Sequence, residues 1–198
     1  MIVIGVTGGV GTGKSTVSRM LRDRGAVLID ADEIAHRVIL PDGPAYAGLV
    51  KAFGPGIVAP DGTINRRELG RRAFADAAGA RLVESIIHPA VIEVVRGRLA
   101  EAAAAGAGAA VIDVPLLYES GLDQLCGQVW VVTADPAVQR ERVSAREGAA
   151  AGEVLARERW QVPMAEKTAR ADAVIDNSGD RAHTADQVAR LVSRLWSS

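Results

Sequence analysis

Eight consecutive residues, Gly8-Gly9-Val10-Gly11-Thr12-Gly13-Lys14-Ser15, match the pattern G-x-x-x-x-G-K-[ST] without gaps. A segment of this composition can cradle phosphates. Glycine removes the side chains that would keep an anion away from the backbone, and it permits turns that aim successive N–H groups at phosphate oxygens. A helix starting at the end of the segment adds the positive end of its dipole. Gly9, Val10, Gly11, Thr12, Gly13, Lys14, Ser15 and Thr16 are therefore expected to bind the phosphates of a nucleotide such as ATP, though the motif alone does not say kinase, GTPase or motor ATPase. Lys14 would reach the β- and γ-phosphates as a mobile point charge. The Ser15 hydroxyl would ligate Mg²⁺, and Thr16 would contact the α-phosphate. A glycine-rich turn carrying an incidental lysine is the plain alternative, and the complete motif argues against it.

Two carboxylates stand at positions where they could serve such a site. Asp32 lies just beyond the end of an apolar segment, where ligands of α/β proteins usually bind. It could orient or accept the proton of an attacking hydroxyl, or it could cap the following helix, a role Asp30 could fill instead. On the residues alone these two readings are equally open. Asp113 ends a second apolar run, as the acidic residue of a Walker B segment does, and could hold Mg²⁺ through water. A carboxylate that merely closes hydrogen bonds at a strand end is the bland reading. Gln139, Arg142 and Arg146 follow at i, i+3 and i+7, hence on one helical face. Charge pattern alone makes that face an ordinary solvated one.

The elements that must position these residues can be read from the same sequence. Ile2–Val6, Ala26–Ile29, Val111–Val114, Val129–Thr133 and Ala173–Ile175 are short, apolar and rich in β-branched residues, so they read as buried strands. Lys14–Arg24 carries Val17, Met20 and Leu21 at helical spacing, and Gly25 is a natural stop. Strand, loop, helix and strand make a right-handed βαβ unit. The expected class is α/β: a P-loop NTPase fold with a parallel five-stranded sheet flanked by helices. A mostly helical insertion spans roughly Glu33 to Ala110, punctuated by turn signals at Pro41-Asp42-Gly43-Pro44, Gly54-Pro55-Gly56 and Pro60-Asp61-Gly62. His88 precedes Pro89, so a helix is expected to end there and another to start. His88 then reads as a helix-junction residue or an acceptor contact, not as an acid or base. Gln139–Arg170 is charged and predominantly helical.

Composition narrows the classes of function. At 198 residues the chain suits one domain with inserted sub-regions. Lys+Arg 23 against Asp+Glu 24 gives a net charge of −1, which argues against broad electrostatic binding to nucleic acid or a membrane. Three scattered tryptophans form no stacking platform. The single cysteine, Cys126, rules out an internal disulfide and fits a cytoplasmic setting. No run reaches the length of a membrane span, and the apolar start lacks the basic region of a signal peptide. No Cys/His spacing suggests zinc. There is no Asn-Lys-x-Asp tetrapeptide to read guanine, and large ATPases need more length. A small-molecule kinase of the nucleoside-monophosphate type fits best.

Four further segments, in order, sharpen that reading: Ile29-Asp30-Ala31-Asp32, His88-Pro89, Val111-Ile112-Asp113-Val114-Pro115-Leu116-Leu117-Tyr118-Glu119, and Ala171-Asp172-Ala173-Val174-Ile175-Asp176-Asn177-Ser178-Gly179. With the phosphate loop first, the set resembles the dephospho-CoA kinase family from Ile2 to Asn177 and the final helix. The resemblance implies a core over about 1–32, 108–136 and 171–198, an acceptor-binding helical insertion over about 60–107, and a lid over about 137–170. It implies transfer of the γ-phosphoryl group of ATP to the ribose 3′-hydroxyl of dephospho-coenzyme A, with Mg²⁺ as the ATP partner. Lys14, Asp32, Arg142 and Arg146 become the implied catalytic residues, with Arg142 and Asn177 also on ATP. Asp32, His88, Pro115, Leu116, Leu117 and Tyr118 become the implied acceptor contacts. Plain core packing remains the alternative for Leu116, Leu117 and Tyr118, and an Asn/Gly turn for Asn177. Arg157 and Gln161 match a lid-end R-x-x-x-Q pattern, although Glu158-Arg159-Trp160 is bulkier than the small residues expected between them. The partners implied are small molecules, with no nucleic acid and no membrane, for a monomer. Another small-molecule P-loop kinase, or a non-catalytic ATP-binding regulatory module, is the alternative.

Overall fold

A computed structural model describes residues 1–147 and 161–196. It divides into two compact units, Met1–Ile29 with Glu101–Ser198, and Asp30–Ala100.

The first unit holds the sheet. Strands β1 (Ile2–Gly8), β2 (Val27–Asp30), β3 (Ala109–Asp113), β4 (Gln128–Thr133) and β5 (Ala173–Asp176) line up in the order β2-β3-β1-β4-β5. The sheet is the parallel five-stranded one expected. β1 is central, with Ile4 opposite Val111 of β3 on one side and opposite Gln128 of β4 on the other. A strand buried on both faces must be apolar throughout, and Ile4, Gly5, Val6, Thr7 and Gly8 are all buried. Helices α1 (Lys14–Arg22) and α8 (Arg181–Trp196) cover one face. Val17, Met20 and Leu21 of α1 join Val188 and Val192 of α8 in one cluster with Ile4, Val6, Trp130, Val132 and Ile175. Each such side chain contributes about 1.5–3 kcal/mol on burial. That apolar cluster fixes where Gly8 leaves the sheet. Helix α1 stops two residues earlier than its sequence pattern suggests. Its stop is nonetheless Gly25, whose φ of 96° lets the Ala26 N–H turn back to the Leu21 carbonyl at 3.2 Å.

The first connection runs from β1 past β3 to β2, whereas β3 leads back across β1 to β4. Strand order therefore reverses at β1. In open parallel sheets the crevice at the carboxyl ends of the strands around such a point takes the ligand. The glycine-rich segment follows β1, so topology and motif point to the same place.

The second unit is helical: α2 (Ala31–Arg37), α3 (Tyr46–Phe53), α4 (Arg66–Ala73) and most of α5 (Ala77–Ala104). The turn signals sit between them as expected. Gly43 donates to the Leu40 carbonyl at 2.7 Å, Gly54 has φ 79° ahead of a short 3-10 turn at Pro55–Ile57, and Gly62 has φ 84°. No described helix is long and apolar enough to cross a membrane.

One expectation fails here. His88 does not end a helix, because α5 runs through Pro89 for 28 residues. The reason is packing. Ala80, Val91, Val95 and Leu99 are buried at helical spacing on both sides of the proline, so the buried stripe continues across it. Pro89 lies on the exposed side, as does Ser85, whose carbonyl loses its helical N–H partner and can meet water instead. Replacing Pro89 with Ala restores that bond. It should raise the unfolding free energy by about 1–3 kcal/mol, allowing for the stiffer unfolded chain that proline gives. Urea melts of the two proteins measure the change, and a loss of stability would show that the helix is not continuous.

Candidate active site

The phosphate loop joins Gly8, the last residue of β1, to α1. Gly11 and Gly13 have φ of 77° and 85°, values side chains oppose. Gly13 is the N-cap of α1, and the Thr16 N–H donates to its carbonyl at 2.8 Å. Thr12 is buried, its hydroxyl donating to the Gly9 carbonyl at 2.9 Å. Ser15 is exposed at the helix start, and Thr16 is half-buried one residue on.

The loop is braced from behind. The Asn177 amide donates to the Thr12 carbonyl at 2.7 Å, and the same side chain accepts from the Thr184 hydroxyl at 2.7 Å. Arg142, on α6 (Pro136–Glu147), donates to the Asn177 carbonyl at 2.9 Å and more weakly to the Thr12 carbonyl at 3.5 Å. A Cβ on Gly13 would stand 2.0 Å from the Asn177 amide nitrogen, and one on Gly11 would stand 2.8 Å from the Gln139 carbonyl oxygen. These glycines are thus required by approach as well as by φ. Gly13, Thr16, Arg142, Asn177, Gly179 and Arg181 line a cavity of about 280 Å³ on this side of β1.

On the other side of β1 stands the end of β3. Asp113 lies opposite Val6 and is buried. Its carboxylate accepts from the ammonium of Lys14, which is itself largely buried. The chain then leaves the sheet as Val114–Glu119. The Thr7 hydroxyl donates to the Pro115 carbonyl at 3.0 Å and ties this exit to β1. Leu117 is fully buried, and its methyl carbons would lie 2.8 and 3.2 Å from a Cβ on Gly5. Pro115, Leu116 and Tyr118 are half-buried. The Arg170 guanidinium lies 3.9 Å above the Tyr118 ring. Burial pushes the Tyr118 phenol above its ordinary range, so it stays protonated as a donor. Cys126, half-buried, is the remaining nucleophilic group nearby. Burial, with a smaller push from Asp123, raises its thiol to about 12.

Lys167 carries no local mark of its role. It is fully buried on α7 (Met164–Ala169), with its ammonium donating to the Pro115 carbonyl at 2.7 Å and the Gln161 side-chain oxygen at 3.3 Å, and 3.2 Å from Glu119. The available signal is compositional: 20 of the 23 basic residues are arginine, so a retained lysine invites a reason.

Asp32 and His88 belong to the second unit. The N-cap of α2 is Asp30 rather than Asp32: its carboxylate accepts from the Glu33 N–H at 3.0 Å. Asp32 sits in the first turn of that helix with its side chain exposed. His88 is half-buried within α5. Gln139 and Arg142 share the face of α6 that meets the loop. Arg140 is exposed on another. The side chain of Arg146 and all of Arg157 lie outside the described residues.

Among the described residues there is no group of three or more His, Cys, Asp or Glu that could cage a metal. A hydroxyl at Ser15 and a carboxylate at Asp113 are hard oxygen donors. They suit Mg²⁺, which keeps most of its coordination for phosphates and water.

A family model described as dephospho-CoA kinase matches residues 2–183. A dephospho-CoA kinase of Symbiobacterium thermophilum is 46% identical over 188 residues, 95% of this chain and 79% of that protein. One from Geobacter sulfurreducens is 43% identical over 196 residues, 99% of this chain and 98% of that protein. A crystal structure from Thermus thermophilus superposes with a TM-score of 0.82 at 33% identity, covering 96% of this chain and 95% of the other.

The bracing of the loop has a direct consequence. Asn177→Ala deletes two buried hydrogen bonds and leaves the Thr12 carbonyl to the longer Arg142 contact. Stability should fall by about 1–3 kcal/mol, and ATP should bind roughly tenfold more weakly. Thermal melts and an ATP titration read the two effects. Unchanged ATP affinity would separate Asn177 from the loop's function.

Proposed function

The chain belongs to the dephospho-CoA kinase family, and on that footing we propose that it transfers the γ-phosphoryl group of ATP to the ribose 3′-hydroxyl of dephospho-coenzyme A. The products are coenzyme A and ADP, the final step of coenzyme A biosynthesis. The observation that carries the reading is the arrangement about β1. The Lys14–Asp113 pair stands on its β3 side, and a cavity of about 280 Å³ opens on its β4–β5 side.

The cavity beside Gly13 and Thr16 takes the nucleoside end of ATP, with Arg142 and Asn177 at its wall. The loop amides and Lys14 hold the phosphates. Lys14 exchanges Asp113 for the β- and γ-phosphate oxygens when they arrive. A flexible ammonium can make that exchange at small cost in geometry. Ser15 and, through water, Asp113 would hold Mg²⁺, which would supply positive charge to offset that on the phosphates. Phosphoryl transfer passes through a loose transition state, so position and charge matter more than proton abstraction. Asp32 orients the acceptor hydroxyl and takes up its proton as the new bond forms. His88, Pro115, Leu116 and Tyr118 contact the acceptor. The lid, about 137–170, brings Arg146 to the transferring group, where a guanidinium in a dry site is most effective. A chain of this size suits a monomer. A single cysteine and a balanced charge suit the cytoplasm.

The decisive experiment follows ADP formation from Mg-ATP with and without dephospho-CoA, and weighs the product. Acceptor-dependent ADP and a product heavier by one phosphoryl group are expected. Slow hydrolysis with no acceptor dependence would favour another acceptor or a regulatory module. Lys14→Ala should lower turnover by about a hundredfold or more with the fold kept. Asp32→Asn should lower kcat by about a hundredfold or more with little change in ATP affinity. Normal turnover in the Asp32 variant would reduce that residue to a surface carboxylate.

A further inference from the structure

The buried cluster around Lys167 is the strongest feature the mechanism has not used. Its ammonium has three hydrogens and three acceptors: the Pro115 carbonyl, the Glu119 carboxylate and the Gln161 amide oxygen. The same Glu119 oxygen accepts from the Val162 N–H at 2.6 Å. The Pro115 carbonyl also takes the Thr7 hydroxyl from β1. The ammonium therefore joins the exit of β3 to the segment Gln161–Lys167, and the shared Pro115 carbonyl ties that exit to the strand that carries the phosphate loop. At the head of that segment, Met164 comes within 3.8 Å of where a Gly9 Cβ would be.

The cluster is poorly built for stability. Burying an ion pair costs desolvation that only full hydrogen bonding repays. Here the second Glu119 oxygen is buried with no partner among the described residues, and so is the Tyr118 hydroxyl. These are the two such side-chain atoms among the described residues, and both lie on the exit of β3. A group held at a cost, in one loop beside the phosphate site, is held for its position. Arginine would not serve. Its planar fork cannot converge on three acceptors around one nitrogen, which accounts for a lysine in a chain otherwise rich in arginine.

Position has a direction in this fold. The nucleotide cavity lies on the β4–β5 side of β1, so the group receiving the phosphoryl approaches from the β3 side. We infer that Lys167 is a positioning residue for the acceptor. It fixes the Pro115–Glu119 loop against β1, and its loss loosens the acceptor side while leaving the ATP side intact. This rests on the reading of the chain as a dephospho-CoA kinase.

The test removes the ammonium without stranding its carboxylate. Lys167→Met with Glu119→Gln replaces the pair by neutral groups of similar shape, an exchange buried ion pairs commonly tolerate. The double variant should melt at or near the temperature of the unaltered protein. Its KM for dephospho-CoA should rise at least tenfold, with KM for ATP within about twofold. Hydrogen exchange followed by mass spectrometry should show faster exchange over Val114–Ser120 and no change over Gly8–Thr16. The single variant Lys167→Met should melt lower, because it leaves the carboxylate unpaired. An unchanged acceptor KM with unchanged exchange overturns the inference, and so does an equal loss on the ATP side. A collapse of the double variant's melting transition would assign the pair to the fold itself and also overturn it. If the unaltered protein shows no activity with dephospho-CoA, the functional reading fails by itself. The exchange measurement then still decides whether Lys167 holds the loop.

Discussion

A loop that offers its amides to an anion must find partners for its carbonyls elsewhere. Here that demand falls on the Thr12 carbonyl, and the Asn177 amide meets it from the far end of the sheet. The rest of the first unit follows from this bond. β5 must pair with β4, and β4 with β1, for Asn177 to arrive behind Gly13. Gly13 must lack a side chain, because the amide occupies its space. Thr184 at the start of α8 must hold the amide's oxygen so that its nitrogen faces the loop. The apolar cluster beneath is what brings these polar atoms into register, and no single hydrogen bond could do so.

The central strand divides labour between its two flanks. On the β4–β5 flank amide and guanidinium groups donate to backbone carbonyls, with no carboxylate among these bonds. On the β3 flank the interactions are ionic, through Lys14 with Asp113 and Lys167 with Glu119. Lys167 is buried and Lys14 largely so, and both close on carboxylates carried by β3 or its exit. They differ in what surrounds the ammonium. That of Lys167 is saturated by three protein acceptors, which suits a fixture. That of Lys14 is paired with one carboxylate at the mouth of an anion-binding loop, which suits a group that must change partners.

Much of this was legible in the residues, for physical reasons. β-branched runs bounded by glycine can do little but form buried strands, so the five strands, their class and the loop after β1 were readable. The carboxylates Asp113 and Asp30 were readable because strand ends and helix starts accept few residue types. What escaped depended on packing. Pro89 carried a local signal for a helix break, and a buried stripe with Ala80 on one side and Val91 and Val95 on the other outweighed it. Leu117 carried no mark of its full burial, which comes from its approach to Gly5 on the central strand. Lys167 sat in a charged stretch where every neighbour looked solvated. Its burial depends on a loop about fifty residues away in sequence, which no local pattern encodes.

The only cysteine of the chain lies along the same central strand. Its sulfur would lie 2.7 Å from a Cβ on Gly5, and burial pushes its thiol up to about 12. A thiol attacks a disulfide only as the thiolate, and only where another sulfur can reach it. Both the acceptor and the product of the proposed reaction end in a free thiol. An exposed, acidic cysteine beside them would be captured as a mixed disulfide whenever the surroundings turned oxidising. By confining its lone sulfur against the backbone of β1, the protein can process a thiol-bearing cofactor repeatedly without becoming joined to it.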